Sequence, residues 1–202
     1  VEMMSLNNLD LHQYRADKIY EKDHKENDQE TSTYDMHLWL DISNMKKIAH
    51  HIYLLLVDVD PVNTNRYNQN LQLLTSKLDA LETEIEAQMH PFSSKIYATF
   101  SDTIQYFEKK YRLGRPVIVT PYHGARLSIN RTLASKNTMN DFEISCLIYG
   151  TEVRKSQISV LSEGLNLKVH RIDILGQEFS AGPEQYFNLM KKISNQVASC
   201  LK

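Results

Sequence analysis

The sequence predicts an α/β fold, with a four-stranded, mainly parallel sheet flanked by helices and one long helix ahead of it. Two observations predict this fold. Short β-prone apolar runs alternate with helical segments beyond residue 95, and crossovers of that length usually join parallel strands. Apolar residues also recur at alternating steps of four and three from 67 to 89, which is typical of one long amphipathic helix.

Composition excludes several classes of function. The 202 residues carry a formal net charge of -2 with scattered basic residues, so we expect no nucleic-acid partner. The sequence has no run of eighteen apolar residues that could span a membrane, and we expect that any signal peptide has already been removed. No glycine-rich phosphate loop or nucleophile elbow follows a predicted strand, so we expect no enzyme. An enzyme on a parallel sheet would rest on fold-level analogy alone.

Residues 11–34 are dense in charged and amide side chains and nearly lack aliphatic ones. Such a segment cannot bury enough surface to order itself, so we predict a mobile loop. His12 and His24 lie in it beside acidic residues. They could hold a divalent metal weakly, or the loop could bind nothing.

The stretch 35–41 (DMHLWLD) contains the only tryptophan and places His37 between two acidic residues. An isolated motif is weak support for a site. His37 is therefore either a functional residue or a solvent-facing neighbour of apolar residues that anchor a short strand or turn.

Two helices follow this stretch. Ser43 is a suitable N-cap for a helix to about residue 57. Asp60 and Pro61 are suitable as N-cap and first residue of the long helix, which would measure on the order of 45 Å. That length suggests a strut between two lobes, with a coiled-coil dimer as the competing explanation.

Four strands are predicted at 96–100, 116–120, 144–149 and 167–175, separated and followed by helices. Ligands of parallel sheets bind beyond the carboxyl ends of the strands. The residues just past those ends are Ser101-Asp102, Pro121-Tyr122, Glu152 and Asp173-Ile174-Leu175-Gly176.

The two cysteines allow two interpretations. Cys146 lies in an apolar run and Cys200 near the end of the chain. Both could be buried free thiols in a reducing compartment, or they could form one bridge.

Several segments, in order, resemble the metal-binding receptors (cluster A-I solute-binding proteins) of bacterial zinc and manganese ABC importers. They are Asp35 to Asp41, Asp60-Pro61 through Tyr67 and Asn70, Phe100-Ser101-Asp102 with Tyr106-Phe107, Cys146 through Glu152, Ile172 through Gly176, and the terminal Ala198 to Lys202. The resemblance covers nearly everything from Asp35 onward and is closest to the zinc-specific members.

The resemblance implies two lobes joined by one long helix, with a metal held between them. Residues 1–60 would be the tail of the amino-terminal lobe, 61–94 the strut helix and linker, and 95–202 the carboxy-terminal α/β lobe. Most of the first lobe, expected ahead of residue 1, is not in this sequence. The charged loop falls where zinc-specific members have a histidine-rich loop.

The resemblance also implies a site. His37 and Asp173 would be ligands from the two lobes, and both suit Zn²⁺, or less readily Mn²⁺. Ser101 stands at a family ligand position but is a poor ligand, so Asp102 or water would replace it, and Glu152 is a candidate supporting residue. Cys146 and Cys200 fall where zinc-specific members form a disulfide, which implies an oxidising periplasm.

The function implied is a periplasmic receptor that binds zinc, or manganese, and delivers it to an ABC permease in the inner membrane. The alternative is a divergent or truncated relative that binds no metal and acts as a non-catalytic interaction module.

Overall fold

The computed structural model describes residues 6, 8–15, 34–120 and 128–202. Most of the predicted charged loop, including His24, lies outside the described residues, as does Pro121-Tyr122. The described helices are α1 (Ile42–Val59), α2 (Thr64–Met89), α3 (Gln105–Lys110), α4 (Ile129–Asp141), α5 (Lys155–Ser162) and α6 (Gln185–Leu201). The strands are β1 (Ala98–Ser101), β2 (Val117–Thr120), β3 (Cys146–Gly150) and β4 (Lys168–Ile172).

The four strands form one sheet in the order β2-β1-β3-β4, and every pair is parallel. The fold prediction is confirmed. Ser101 pairs with Thr120 and Gly150 with Ile172, so neighbouring strands finish at the same level. The residues that follow Ser101, Gly150 and Ile172 are therefore brought to one edge, the carboxyl edge of the sheet.

Helix α1 begins two residues earlier than predicted, and its N-cap is Asp41 rather than Ser43. The Asp41 carboxylate accepts a hydrogen bond from the Ser43 backbone N–H at 2.8 Å. Serine and aspartate are both good N-caps, and the choice between them follows from Asp41 having the extended backbone that a cap requires.

Helix α2 has 26 residues and is roughly 39 Å long at the usual rise per residue. Pro61 opens a short 3-10 turn ahead of it rather than the helix itself. The predicted apolar stripe is fully buried only in the second half of the helix, at Leu78, Leu81, Ile85 and Met89. Helix α6 begins beside Lys77, which pairs with Glu184, so the first half of α2 packs mainly against α1 within the described part of the chain.

The first half of the α2 stripe lines an open apolar cleft, together with α1 residues from Met45 to Leu56 and with Pro183, Tyr186 and Phe187. The cleft has a volume of about 320 Å³, and no charged side chain lines it. Ile52, Leu56 and Leu74 stay 38–41% exposed there.

Two hydrophobic clusters hold the described part of the chain together. The larger joins α1, α2 and α6 to one face of the sheet, and the smaller joins α4 and α5 to the other face. A disulfide between Cys146 on β3 and Cys200 on α6, with an S–S distance of 2.02 Å, links sheet and helix. The structure thus contains the bridge that the resemblance implies. Among the described residues, no helix has the length and apolar content needed to cross a bilayer.

Candidate metal centre

His37 is held at the start of a 3-10 turn, Leu38–Leu40, whose two leucines are buried in the larger cluster. Asp35, which is fully buried, fixes the imidazole. Its Oδ1 accepts the His37 backbone N–H at 2.9 Å and lies 2.6 Å from His37 Nδ1. Because Nδ1 is used in this way, metal coordination by His37 would use Nε2. A carboxylate behind the imidazole is the usual support of a metal-binding histidine.

Asp35 is itself held by α3 and by the segment 8–15. Its carbonyl accepts a 2.8 Å hydrogen bond from the Tyr106 hydroxyl, and its N–H donates to the His12 carbonyl at 2.7 Å. Gln13 and Tyr34 form an isolated antiparallel bridge beside this contact. His12 stacks on Tyr106 with ring centroids 4.5 Å apart. His12 therefore packs behind the predicted ligand, and burial lowers its pKa.

Asp173 follows β4 directly and is only 4% exposed. Its Oδ1 accepts backbone N–H groups of Leu175 and Gly176, each at 3.0 Å, and its Oδ2 accepts that of Glu178 at 3.1 Å. Two carboxylate oxygens offer about four lone-pair sites. The Asp173 carboxylate therefore already uses most of its acceptor sites to stabilise its own loop. A metal ion would have to share these oxygens with backbone N–H groups.

Two hydrogen bonds anchor the His37 turn, one to the Asp173 loop and one to helix α6. The Trp39 indole Nε1–H donates to the Ile174 carbonyl at 3.0 Å, and the Tyr186 hydroxyl donates to the Trp39 carbonyl at 2.8 Å. The Trp39 ring also stands edge-on to His37, with centroids 5.3 Å apart. The only tryptophan therefore joins the segments that carry the two predicted ligands.

Ser101 ends β1 and is buried, with its Oγ 3.2 Å from the Oγ1 of Thr120. Asp102, the predicted substitute donor, is 1% exposed and binds Arg15 through both carboxylate oxygens. A carboxylate paired with a guanidinium in this way is a poor donor for a second cation.

Sequence reasoning missed Arg15, which lies beside the candidate site and contacts Asp102. Its guanidinium pairs with Asp102 and with Glu108, whose Oε2 lies 2.7 Å from Nη1, and the Tyr97 hydroxyl donates to Glu108 Oε1 at 2.6 Å. Burial would lower the pKa of Arg15, but the hydrogen bond to Asp102 and the charge of Glu108 raise it overall. The signal in the sequence was two acidic residues, Asp102 and Glu108, placed among the apolar residues Phe100, Ile104 and Phe107, since buried acids need a cation.

His37 and Glu152 line one cavity of about 460 Å³ at the carboxyl edge of the sheet. Arg171, Ile174 and Leu175 line it as well. Over the described ranges, no three His, Cys, Asp or Glu side chains are gathered closely enough to hold a metal ion. The structure brings the predicted ligand His37 and the predicted supporting residue Glu152 to one cavity, while the neighbours of Asp173 line its wall.

The same fold occurs in solved structures of metal-binding proteins. A crystal structure of ZnuA superposes with a TM-score of 0.73 at 18% identity, over 88% of this chain and 64% of that one. The periplasmic zinc-binding protein TroA from Treponema pallidum superposes with a TM-score of 0.72 at 14% identity, over 88% and 67%.

A family model described as "Zinc-uptake complex component A periplasmic" (ZnuA) matches residues 3–200, so the chain belongs to this family. The predicted family is confirmed. The high-affinity zinc uptake system protein ZnuA of Brucella abortus (strain 2308) is 27% identical over 168 residues, which are 83% of this chain and 50% of that protein. ZnuA of Yersinia pestis is 26% identical over 90% of this chain and 57% of its own length. The chain thus spans about half the length of the curated relatives it matches.

Proposed function

We propose that this chain is the carboxy-terminal part of a periplasmic receptor that binds Zn²⁺, with Mn²⁺ as the second choice, and delivers it to an ABC permease. The observation that carries the proposal is His37, whose Nδ1 is fixed by the buried carboxylate of Asp35 beside a cavity at the carboxyl edge of the sheet. Membership of the zinc-uptake family supports the cargo.

We include Mn²⁺ as a possible cargo because of one relative that is 26% identical to this chain. It is named a manganese ABC transporter substrate-binding lipoprotein, PsaA of Streptococcus anginosus. We propose a periplasmic location for the same reasons, since the family description is periplasmic. Binding and release need no bond to be made or broken, so the proposed role is transport without catalysis.

The proposed ligands from this chain are His37, through Nε2, and Asp173. Zn²⁺ accepts imidazole nitrogen and carboxylate oxygen. The hydrogen bond from Trp39 to Ile174 supports this pairing, because it holds the turn that carries His37 against the loop that carries Asp173. Further donors would come from the half of the receptor that the relatives have and this chain does not match.

We also propose the division into a first-lobe tail at 1–60, a strut and linker at 61–94, and a second lobe at 95–202. The open cleft between α1 and α2 supports this division. Its side chains resemble a core face rather than a solvated one, as expected if the remainder of a complete receptor packs there.

Zinc titration tests the function. Trp39 is the only tryptophan and lies beside His37, so its fluorescence should change as zinc binds, in parallel with the heat measured by calorimetry. His37→Ala should abolish the fluorescence change and weaken binding at least about tenfold, as expected from loss of a ligand. His90→Ala, an exposed histidine outside the site, is the matched control and should bind like the parent chain.

The same titration on a chain extended to the full length of the relatives separates this proposal from its alternative. A decayed, non-catalytic interaction module is favoured by one observation: Ser101 has turned its hydroxyl to Thr120 and offers no strong donor. Tight zinc binding by the extended chain that depends on His37 would support the receptor. If neither chain binds zinc, or if His37→Ala binds as well as the parent, the receptor proposal is wrong.

A further inference from the structure

We infer that a second cavity, beside helix α3, binds a small oxyanion with two or more negative charges, of the phosphate or polycarboxylate class. The inference is independent of the proposed metal site. The cavity has a volume of about 360 Å³, which is typical of sites for small molecules. Of the described residues that line it, four are basic (Arg15, Lys109, Arg112 and Arg115) and one, Glu108, is acidic.

The acid in this cavity is already paired. Arg15 Nη1 lies 2.7 Å from Glu108 Oε2, and the same guanidinium binds Asp102. These three groups together leave one negative charge, which the exposed cations of Lys109 and Arg112 outweigh. A guanidinium has five N–H donors, more than the two carboxylates need, so Arg15 can also donate to an anion from the floor of the cavity.

Arg112 occupies a backbone position where glycine would cost less. Its φ is +55°, and left-handed backbone is unfavourable for a residue with a Cβ. The position follows the end of α3, where the Leu113 N–H donates to the Glu108 carbonyl at 2.9 Å, an arrangement that usually has glycine here. Strained residues of this kind concentrate at functional sites. We attribute the arginine to what its side chain does at the cavity.

The loop that carries Arg112 is held against the preceding segment. Leu113 forms an antiparallel bridge with Ser93 and packs on the larger hydrophobic cluster. Gly114 approaches Lys95 so closely that a Cβ at 114 would lie 2.4 Å from the Lys95 carbonyl oxygen. The backbone at the rim of the cavity is therefore preorganised, which lowers the entropy lost when a ligand binds.

The end of a helix does not by itself account for these cations. Basic residues near a helix C-terminus are favoured by the helix dipole, and both Lys109 and Lys110 lie in the last turn of α3. Lys110 donates to Ser43 and pairs with Glu82, whereas Lys109 lines the cavity. The dipole explains a positive charge at this end of α3, but not the convergence of Lys109 with Arg15 and Arg112 on one cavity.

Isothermal titration calorimetry tests the site on metal-free parent chain, with citrate and inorganic phosphate as probes at an ionic strength held constant with sodium chloride. Arg112→Gly and Lys109→Gln should each weaken anion binding at least about tenfold, as expected from loss of a hydrogen bond to a charged group. Arg66→Gln removes an exposed arginine on α2 and is the matched control, which should bind like the parent. Arg112→Gly should also raise the urea midpoint, because glycine relieves the left-handed strain, so weaker binding could not be attributed to unfolding.

Saturable binding of either probe that both cavity variants weaken would support the site, and the probe that binds more tightly identifies the ligand as a phosphate or a polycarboxylate. The inference is wrong if neither probe gives saturable heat, or if both cavity variants bind as tightly as the parent. An equal loss in Arg66→Gln would also overturn it, because the attraction would then be to positive charge in general. None of these outcomes bears on zinc binding.

Discussion

Replacing Arg15 with methionine tests whether the segment 8–15 is an integral part of the fold. The substitution keeps most of the apolar stem and removes the guanidinium that pairs with Asp102 and Glu108. Both acids are at most 2% exposed. Removing one partner from a buried ion pair leaves an uncompensated charge and costs about 3–5 kcal/mol.

The cost of about 3–5 kcal/mol is an upper limit on the free energy of unfolding that Arg15→Met would lose at neutral pH. The segment 8–15 could detach and admit water to the two acids, so the loss cannot exceed the free energy that docks the segment plus the cost of solvating its site. Even 3 kcal/mol would be a large part of the roughly 5–15 kcal/mol that stabilises an ordinary domain. Arg66→Met, an exposed arginine on α2, should change stability by no more than about 0.5 kcal/mol.

The loss should depend on pH with a definite sign. Burial raises the pKa of Glu108 above its ordinary value of 4.5, although the Arg15 charge lowers it. Because the folded state holds this proton more tightly than the unfolded chain, the contribution of Glu108 to stability falls as pH rises above 4.5. Removing Arg15 raises the pKa of Glu108 further. The stability gap between parent and variant should therefore be small near pH 4.5 and grow toward pH 7.5.

Urea unfolding followed by Trp39 fluorescence at pH 5 and pH 7.5 measures this gap. We expect a loss of between about 1 and 3 kcal/mol at pH 7.5 and a clearly smaller one at pH 5. A loss below about 1 kcal/mol at pH 7.5 would mean that the guanidinium is not desolvated between the two acids. A loss that is equal at both pH values would refute the role given to Glu108.

Three further predictions concern the frame of the site. Cysteines 146 and 200 should give no free thiol in unfolded, unreduced protein, and replacing both with alanine should lower the free energy of unfolding by about 4 kcal/mol, from a closed loop of 54 residues; two free thiols would contradict this. Gly164→Ala should cost about 1 kcal/mol because φ is +77° there, whereas Gly182→Ala, with equally open space and no positive φ, should not; equal effects in urea unfolding would refute the backbone argument. Tyr186→Phe should cost about 1 kcal/mol by losing its hydrogen bond to a backbone carbonyl, and unchanged stability would mean that this bond adds nothing.

The sheet could be predicted from sequence because its strands are short apolar runs buried between helices. Strand ends were less predictable: β4 ends at Ile172, not at 175 as predicted. The reason is that the Asp173 carboxylate collects the N–H groups of the next residues and turns the chain. Such local capture of the backbone by aspartate competes with strand pairing, and apolar patterning does not reveal which wins.

The candidate site could be predicted only in part. The resemblance indicated His37, and Asp35 beside it in sequence is the residue that orients its ring. The contact between Arg15 and Asp102 joins residues 87 positions apart, and no periodic pattern in the sequence indicates it. Burial of the stripe on α2 was also only half predictable, because periodicity reports the face of a helix but not where its neighbour α6 begins.

The bridge between Gln13 and Tyr34 joins two stretches of chain that lie on either side of residues 14–33. Through the His12 carbonyl, the same contact holds the segment 8–15 to Asp35, behind the His37 imidazole. A substitution in the segment 8–15 that loosens this contact should therefore also change how firmly the imidazole is held, although the segment lies more than twenty residues from His37 in sequence.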